Sequence, residues 1–237
     1  MADIIADRVA ALDWRAMAAS LDEDGCVATG PLLTGAECVA LRALYDQEAA
    51  FRSRIVMARH GFGSGEYKYF RYPLPGSVAA LRTALYRRLA PIANRWQQAF
   101  GRGPLFPPTH KAYLTLCHEA GQARPTPLLL KYGPGDYNRL HQDVYGPLLF
   151  PLQATILLSE PERDFSGGAF IVTEQRPRMQ SRAETVPLER GEGVVFAVRE
   201  RPVAGARGTG RAILRHGVSR VRSGNRMTLG IIFHDAA

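Results

Sequence analysis

PLLLKYGPGDYNRLHQD, residues 127 to 143, is where the chain changes character. From Pro127 onward apolar residues come in short runs broken by Gly, Pro and Ser: PLLLKY, LLFPLQATILLS, GAFIVTE, GVVFAV, AILRHG and MTLGIIFH. Runs of this length between turn-forming residues predict strands. Six or more in succession predict an antiparallel sandwich or barrel rather than a parallel α/β sheet. The opening stretch closes on His141 and Asp143, one residue apart. In an extended segment alternate side chains share a face, so the two point the same way and could hold one metal ion together.

Upstream, roughly the first hundred residues read as helical. One helix is expected from about Ile4 to Leu21, with Ile5, Val9, Leu12 and Leu21 as its apolar stripe. A second starts at Thr34, where Glu37 three residues on completes a capping box. A third starts near Ser77, and its stripe of Val78, Leu81, Leu85, Leu89, Ile92 and Trp96 crosses Pro91, which should kink or divide it. Between the second and third lies RHGFGSGEYKYFRYPLP, residues 59 to 75, read as a glycine-containing loop whose aromatics either anchor it to the core or stack on a substrate.

A chain of 237 residues supports one well-buried core, and no apolar run is long enough to cross a bilayer. The opening MADIIADRV carries acids where a secretory signal would carry bases, so the cytoplasm is the expected compartment. Cys26, Cys38 and Cys117 are odd in number and widely spaced, which predicts reduced core residues. The net charge of +8 is concentrated: residues 176 to 226 hold twelve arginines against Glu184, Glu189, Glu192 and Glu200. Such a region suits phosphate, although a GC-rich genome also favours arginine codons.

A lone HxD is weak. His216, at the end of the apolar run AILRHG, turns it into two histidines and a carboxylate, the facial triad of non-haem iron(II) oxygenases, whose open positions admit a co-substrate and dioxygen. Arg226 follows ten residues later across RVRSGNR, where Ser223, Gly224 and Asn225 read as a hairpin turn. On the returning strand an arginine can offer a bidentate fork to a dicarboxylate that chelates the iron, and Thr228, on the same face, can donate its hydroxyl. His118 and Glu119 in LCHEAG lack a partner at helical spacing and are expected to be structural.

The HQD motif, RHGVSRVRSGNR, YGPGDYNRLHQD, FSGGAF and VPLERGEGVVF together resemble the 2-oxoglutarate and iron(II)-dependent oxygenases, in particular the prolyl-4-hydroxylase-like branch. The resemblance covers about Pro127 to His234. It implies that His141, Asp143 and His216 ligate Fe(II), that Arg226 binds the distal carboxylate of 2-oxoglutarate, and that Tyr132 stands near the co-substrate. Asn138 occupies a position where prolyl hydroxylases usually carry a second aromatic, and an arginine stands where collagen-type members often have lysine, so the substrate is open. The whole chain also looks similar to a bacterial subgroup predicted to act on nucleic acid.

The fold so implied is mainly β with an α-helical N-terminal layer: a double-stranded β-helix, or jelly roll, with residues 1–105 as helical support and 106–237 as the oxygenase core. The implied cofactors are Fe(II), 2-oxoglutarate and dioxygen, with succinate as a product. A nucleic-acid base is the first substrate expected, by hydroxylation or oxidative dealkylation. A protein side chain is the alternative, and a non-catalytic binding module a further one. Phosphate contacts are expected from Arg176, Arg178, Arg182, Arg201, Arg207 and Arg211. The oligomeric state is not legible.

Overall fold

The computed structural model describes residues 2–103, 106–144, 146–205 and 208–237. The helices are α1 (Ala2–Ala11), α2 (Trp14–Asp24), α3 (Gly35–Ala43), α4 (Gly76–Ala99) and α5 (His110–Glu119). The strands are β1 (Cys26–Pro31), β2 (Phe51–Val56), β3 (Gly63–Ser64), β4 (Glu66–Phe70), β5 (Leu128–Tyr132), β6 (Tyr137–His141), β7 (Leu152–Leu157), β8 (Phe165–Gly167), β9 (Phe170–Gln175), β10 (Arg182–Val186), β11 (Glu192–Ala197), β12 (Glu200–Gly205), β13 (Gly208–Val218), β14 (Val221–Gly224) and β15 (Arg226–Ile231).

The seven-stranded sheet runs β1-β11-β7-β15-β5-β4-β2, and the smaller sheet β10-β9-β13-β6-β3 with β12 beside β13. Every pairing within them is antiparallel. Two facing antiparallel sheets make the expected jelly roll, with the core between them and under the helices. All six residues of β7 and of β15 are buried, because one face looks into the interior and the other is covered by helices, α4 lying against β15.

Several expectations change in detail. The first helix is two: the Asp13 side chain accepts from the backbone N–H groups of Arg15 and Ala16, which caps a new helix and ends the old one. The capping box at Thr34 and Glu37 forms as expected. Helix α4 stays whole across Pro91, whose ring faces solvent, so the carbonyl left without a donor can be hydrated. The upstream region is more than helix, since β1, β2 and β4 all belong to the larger sheet. Within the stretch 59–75, residues 63–64 and 66–70 are strand, and the rest is turn and loop as expected. The turn before Arg226 joins no hairpin: β14 pairs with β8 in its own two-stranded sheet, and β15 crosses to the larger one. Gly224 makes that corner at φ +71°, where a Cβ would lie 2.0 Å from the Asp164 carbonyl oxygen.

The long helix is fastened to the end of β15 by Arg82, which is 1% exposed. Its guanidinium donates to Asp235 Oδ1 at 2.7 Å, to the carbonyls of Ile232 (2.8 Å) and His234 (3.1 Å), and to Tyr72 Oη at 3.0 Å. Tyr72 also donates to Asp235 at 2.8 Å, and His118 donates to the same carboxylate at 2.8 Å, so His118 is structural. Burial works against the Asp235 charge, but the Arg82 cation and these hydrogen bonds outweigh it and hold its pKa below the usual value. The three cysteines are free and buried. Among the described residues no helix is long and apolar enough to cross a membrane.

Candidate metal centre and active site

Antiparallel pairing of β6 with β13 sets His141 opposite His216. The register slips by one between that pair and Val218 with Asn138, so Asn138 and His141, three apart, both line the cavity between the sheets. Strand β6 ends at His141, and the chain beyond keeps its alternation. Gln142 turns away to donate to the Leu214 carbonyl at 2.7 Å and the Arg199 carbonyl at 3.2 Å. Asp143 turns back toward the two histidines, its carboxylate 3.5 Å from His141 Nε2 and 3.4 Å from His216 Nε2.

One ligand atom from each of His141, Asp143 and His216 lies within 4.8 Å of the others. His141 Nδ1 donates to the Arg139 carbonyl at 2.7 Å, which fixes the proton there and leaves the Nε2 lone pair facing the group. Burial disfavours a charged His141, yet Asp143 beside it raises its pKa. Burial disfavours ionised Asp143 too, but the two imidazoles hold it well below the usual carboxylate range. Burial, together with His141, lowers His216. The result is a carboxylate that stays ionised among imidazoles, a donor set that fits iron(II) with 2-oxoglutarate and dioxygen as further ligands. Phe196, tilted against His216, and Phe170, stacked beside it, have ring centroids 4.4 and 5.9 Å from its own and cover that side with apolar surface.

Arg226 begins β15 opposite Tyr132 in β5, and both line the same cavity. Arg226 is 2% exposed, yet its Nε and Nη1 have no hydrogen-bond partner, and among the described residues it forms no ion pair. Burial without a counter-ion pulls its pKa down to about 10. Two glycines let this end close up: a Cβ on Gly168 would lie 2.7 Å from Arg226 Cδ, and one on Gly65 would lie 2.9 Å from Tyr132 Cδ1. Thr228 shares the cavity face with Arg226. Tyr132 is fully buried, Asn138 donates to its hydroxyl at 3.4 Å, and burial pushes its pKa up. All six candidate residues thus meet in one cavity of about 200 Å³.

Tyr67 and Tyr69 on β4, packed edge to face at 5.4 Å, also line it, with Phe62 at 47% exposure. Tyr72 does not; it belongs to the Arg82 network. Sequence reading missed Phe196 and Gln153. A lone amide inside the apolar run LQATIL was the available signal for Gln153, because a strand buried on both faces carries a polar side chain only for cause.

The expected phosphate-binding arginines are mostly occupied. Arg201 is 2% exposed and ion-paired with Glu174, Arg176 bonds Glu174 at 2.6 Å, Arg182 bonds Asp24 at 2.9 Å, and Arg211 lies 3.7 Å from Glu200. Arg207 lies outside the described residues. Only Arg178 of that set is without an ion pair among the described residues; exposed Arg139, Arg215 and Arg222 share that property.

Residues 65–236 match the family Oxygenase-NA, described as an oxygenase catalysing oxidative methylation of damaged DNA. Uncharacterized protein Rv2227 of Mycobacterium tuberculosis (strain ATCC 25618 / H37Rv) is 50% identical over 168 residues, 71% of this chain and 72% of that one. The fold is similar to a Pseudomonas putida prolyl-4-hydroxylase (TM-score 0.54, 16% identity, 92% of this chain and 96% of that one). It is also similar to an oxidoreductase of the 2OG-Fe(II) oxygenase family from Burkholderia pseudomallei (TM-score 0.53, 17% identity, 94% and 93%). A third likeness is to a prolyl hydroxylase from Trichoplax adhaerens, solved with a peptide fragment of hypoxia inducible factor (TM-score 0.56, 12% identity, 94% and 89%).

Proposed function

We propose that this chain, which belongs to the Oxygenase-NA family, is an Fe(II)- and 2-oxoglutarate-dependent oxygenase that acts on a base of a nucleic acid. The observation that carries the site assignment is Arg226. A guanidinium buried to 2% exposure with two unpartnered nitrogens is costly as it stands, so the cavity is complete only with an anion in it. A carboxylate suits its planar fork, and Thr228 on the same face can donate a further hydrogen bond. His141, Asp143 and His216 would hold the iron, leaving its other positions open toward the cavity.

When bound, the metal and co-substrate supply, with dioxygen, the oxidant for a substrate C–H bond. The chain's own part is to hold and to exclude. Arg139 fixes the His141 tautomer, Arg226 and Thr228 orient the dicarboxylate, Asn138 orients the Tyr132 hydroxyl, and Phe170 and Phe196 cover one side of His216 with apolar surface.

Three things support a nucleobase as substrate. The family description names damaged DNA. The cavity, of about 200 Å³, is too small for a duplex, so a base would have to be extruded or already single-stranded to reach it. Tyr67, Tyr69 and Phe62 give it aromatic faces for stacking. The test is succinate release from 2-oxoglutarate in the presence of methylated and unmethylated single-stranded DNA and RNA, or of proline-containing peptides. Stimulation by a nucleic acid is the expected result. Stimulation by a peptide alone would replace this reading with protein hydroxylation, and release with neither would remove both substrates.

A further inference from the structure

Gln153 is 5% exposed and lines the cavity, and its Oε1 is buried without a hydrogen-bond partner. In β7 it stands opposite Phe196, whose ring lies 4.4 Å from that of His216, so it is close to the metal group on the side of the larger sheet. It is far from Arg226. Thr155 pairs with Gly230 and Ala154 with Ile231, which brings Gln153 level with Ile232, six residues beyond Arg226, or roughly 20 Å of extended strand. Its neighbours along that end of the cavity wall are Tyr69, Leu128, Gly230 and Ile232.

An unpartnered acceptor in an apolar wall destabilises the empty protein and gains from any ligand that brings a donor. 2-Oxoglutarate brings none: its two carboxylates and its ketone only accept. Nor does the ring of a prolyl residue, which has no N–H. A nucleobase does, through an exocyclic amine or a ring N–H beside an acceptor nitrogen, and an amide can pair with such an edge in bidentate fashion. We infer that Gln153 determines specificity at the substrate end of the cavity, its side-chain amide pairing with the hydrogen-bonding edge of an extruded nucleobase. This rests on the nucleic-acid reading above.

The experiment uses the full chain loaded with Mn(II) and 2-oxoglutarate, which holds the site without turnover. Probes are single-stranded DNA oligonucleotides whose central position is adenine, cytosine, either base methylated at a ring nitrogen, or an abasic site. The wild-type protein should prefer at least one base over the abasic site by tenfold or more. Gln153→Leu and Gln153→Met should reduce that preference below threefold while 2-oxoglutarate affinity stays within twofold. Both should also raise Tm by about 2 °C or more, because they remove an unsatisfied buried polar group. An unchanged base preference in the variants overturns the inference and leaves the nucleic-acid reading standing. So does a tenfold loss of 2-oxoglutarate affinity, which would move Gln153 to the co-substrate, or a Tm that falls in both variants, which would make it a packing residue. A wild-type protein that does not distinguish a base from an abasic site overturns both readings.

Discussion

Arg82 and Arg226 are buried to almost the same degree, 1% and 2% exposed, and their surroundings are opposite. Arg82 has a carboxylate, two carbonyls and a phenol around it. Arg226 has aromatic rings, with Tyr132 at 5.8 Å and Phe165 at 5.9 Å from its guanidinium carbon, and no anion among the described residues. A buried cation costs several kcal/mol unless something compensates it. Where the chain supplies the compensation, the arginine is part of the fold. Where the chain withholds it, as at Arg226, an outside anion would gain what the empty protein forgoes, which is the basis of the ligand role proposed for that arginine.

The largest effect expected lies beside Arg226: His141→Ala, Asp143→Ala or His216→Ala should abolish iron(II) binding and 2-oxoglutarate turnover with the fold retained, since the three side chains face a cavity. Metal binding by titration and secondary structure by circular dichroism check both halves, and normal turnover in any variant would remove that residue from the centre. Next comes the Arg82 side. Asp235→Ala leaves Arg82 buried and uncompensated and should cost about 3 to 5 kcal/mol in urea denaturation. The contrast is sharpest in Arg226→Ala, which should weaken 2-oxoglutarate by about 2 to 4 kcal/mol of binding energy and leave thermal stability unchanged or higher. Marked destabilisation by that variant would put both arginines in the same class and break the comparison.

Acid should act on the Arg82 side through His110. His110, 4% exposed and donating to the Phe233 carbonyl at 2.8 Å, is pushed down by burial to a pKa of about 3. Its folded pKa lies below the unfolded value near 6.5, so the unfolded chain takes up the proton first. Stability is therefore lost as pH falls from about 6.5 toward 3, by up to about 1.4 kcal/mol per pH unit. His110→Gln should flatten that stretch of the stability profile, and an unaltered slope would refute the role. The smallest effect is at the surface. On the nucleic-acid reading proposed above, replacing any one of Arg139, Arg178, Arg215 and Arg222 that contacts phosphate should reduce the salt dependence of single-strand binding by about 0.7 log units per decade.

The same contrast sorts what could be read from residues alone. The convergence of His141, Asp143, His216 and Arg226 on one cavity was legible because each sits in a short motif whose local alternation or spacing already constrains it. The strand character of EYKYF was not: the surrounding glycines read as loop, and pairing with β5 on one side and β2 on the other makes that segment a strand that turns Tyr67 and Tyr69 inward. The arginine-rich region misled for a related reason. Charge counts do not reveal partners, and Glu174 takes up both Arg176 and Arg201 from a position adjacent to one and distant from the other in sequence.

By itself, then, the sequence determined a run of short strands, the cap at Thr34, and a pattern of two histidines and an aspartate suited to a metal, with an arginine ten residues after its last histidine. Tertiary structure alone decided which buried charges are compensated. It enclosed Arg82 with Asp235 and left Arg226 bare, brought upstream strands into the larger sheet, and set Gln153 at the opposite end of the cavity. The physical reason is that alternation, capping and motif spacing act over a few residues. Compensation of a buried charge depends on which distant side chain the folded packing brings within about 3 Å of it.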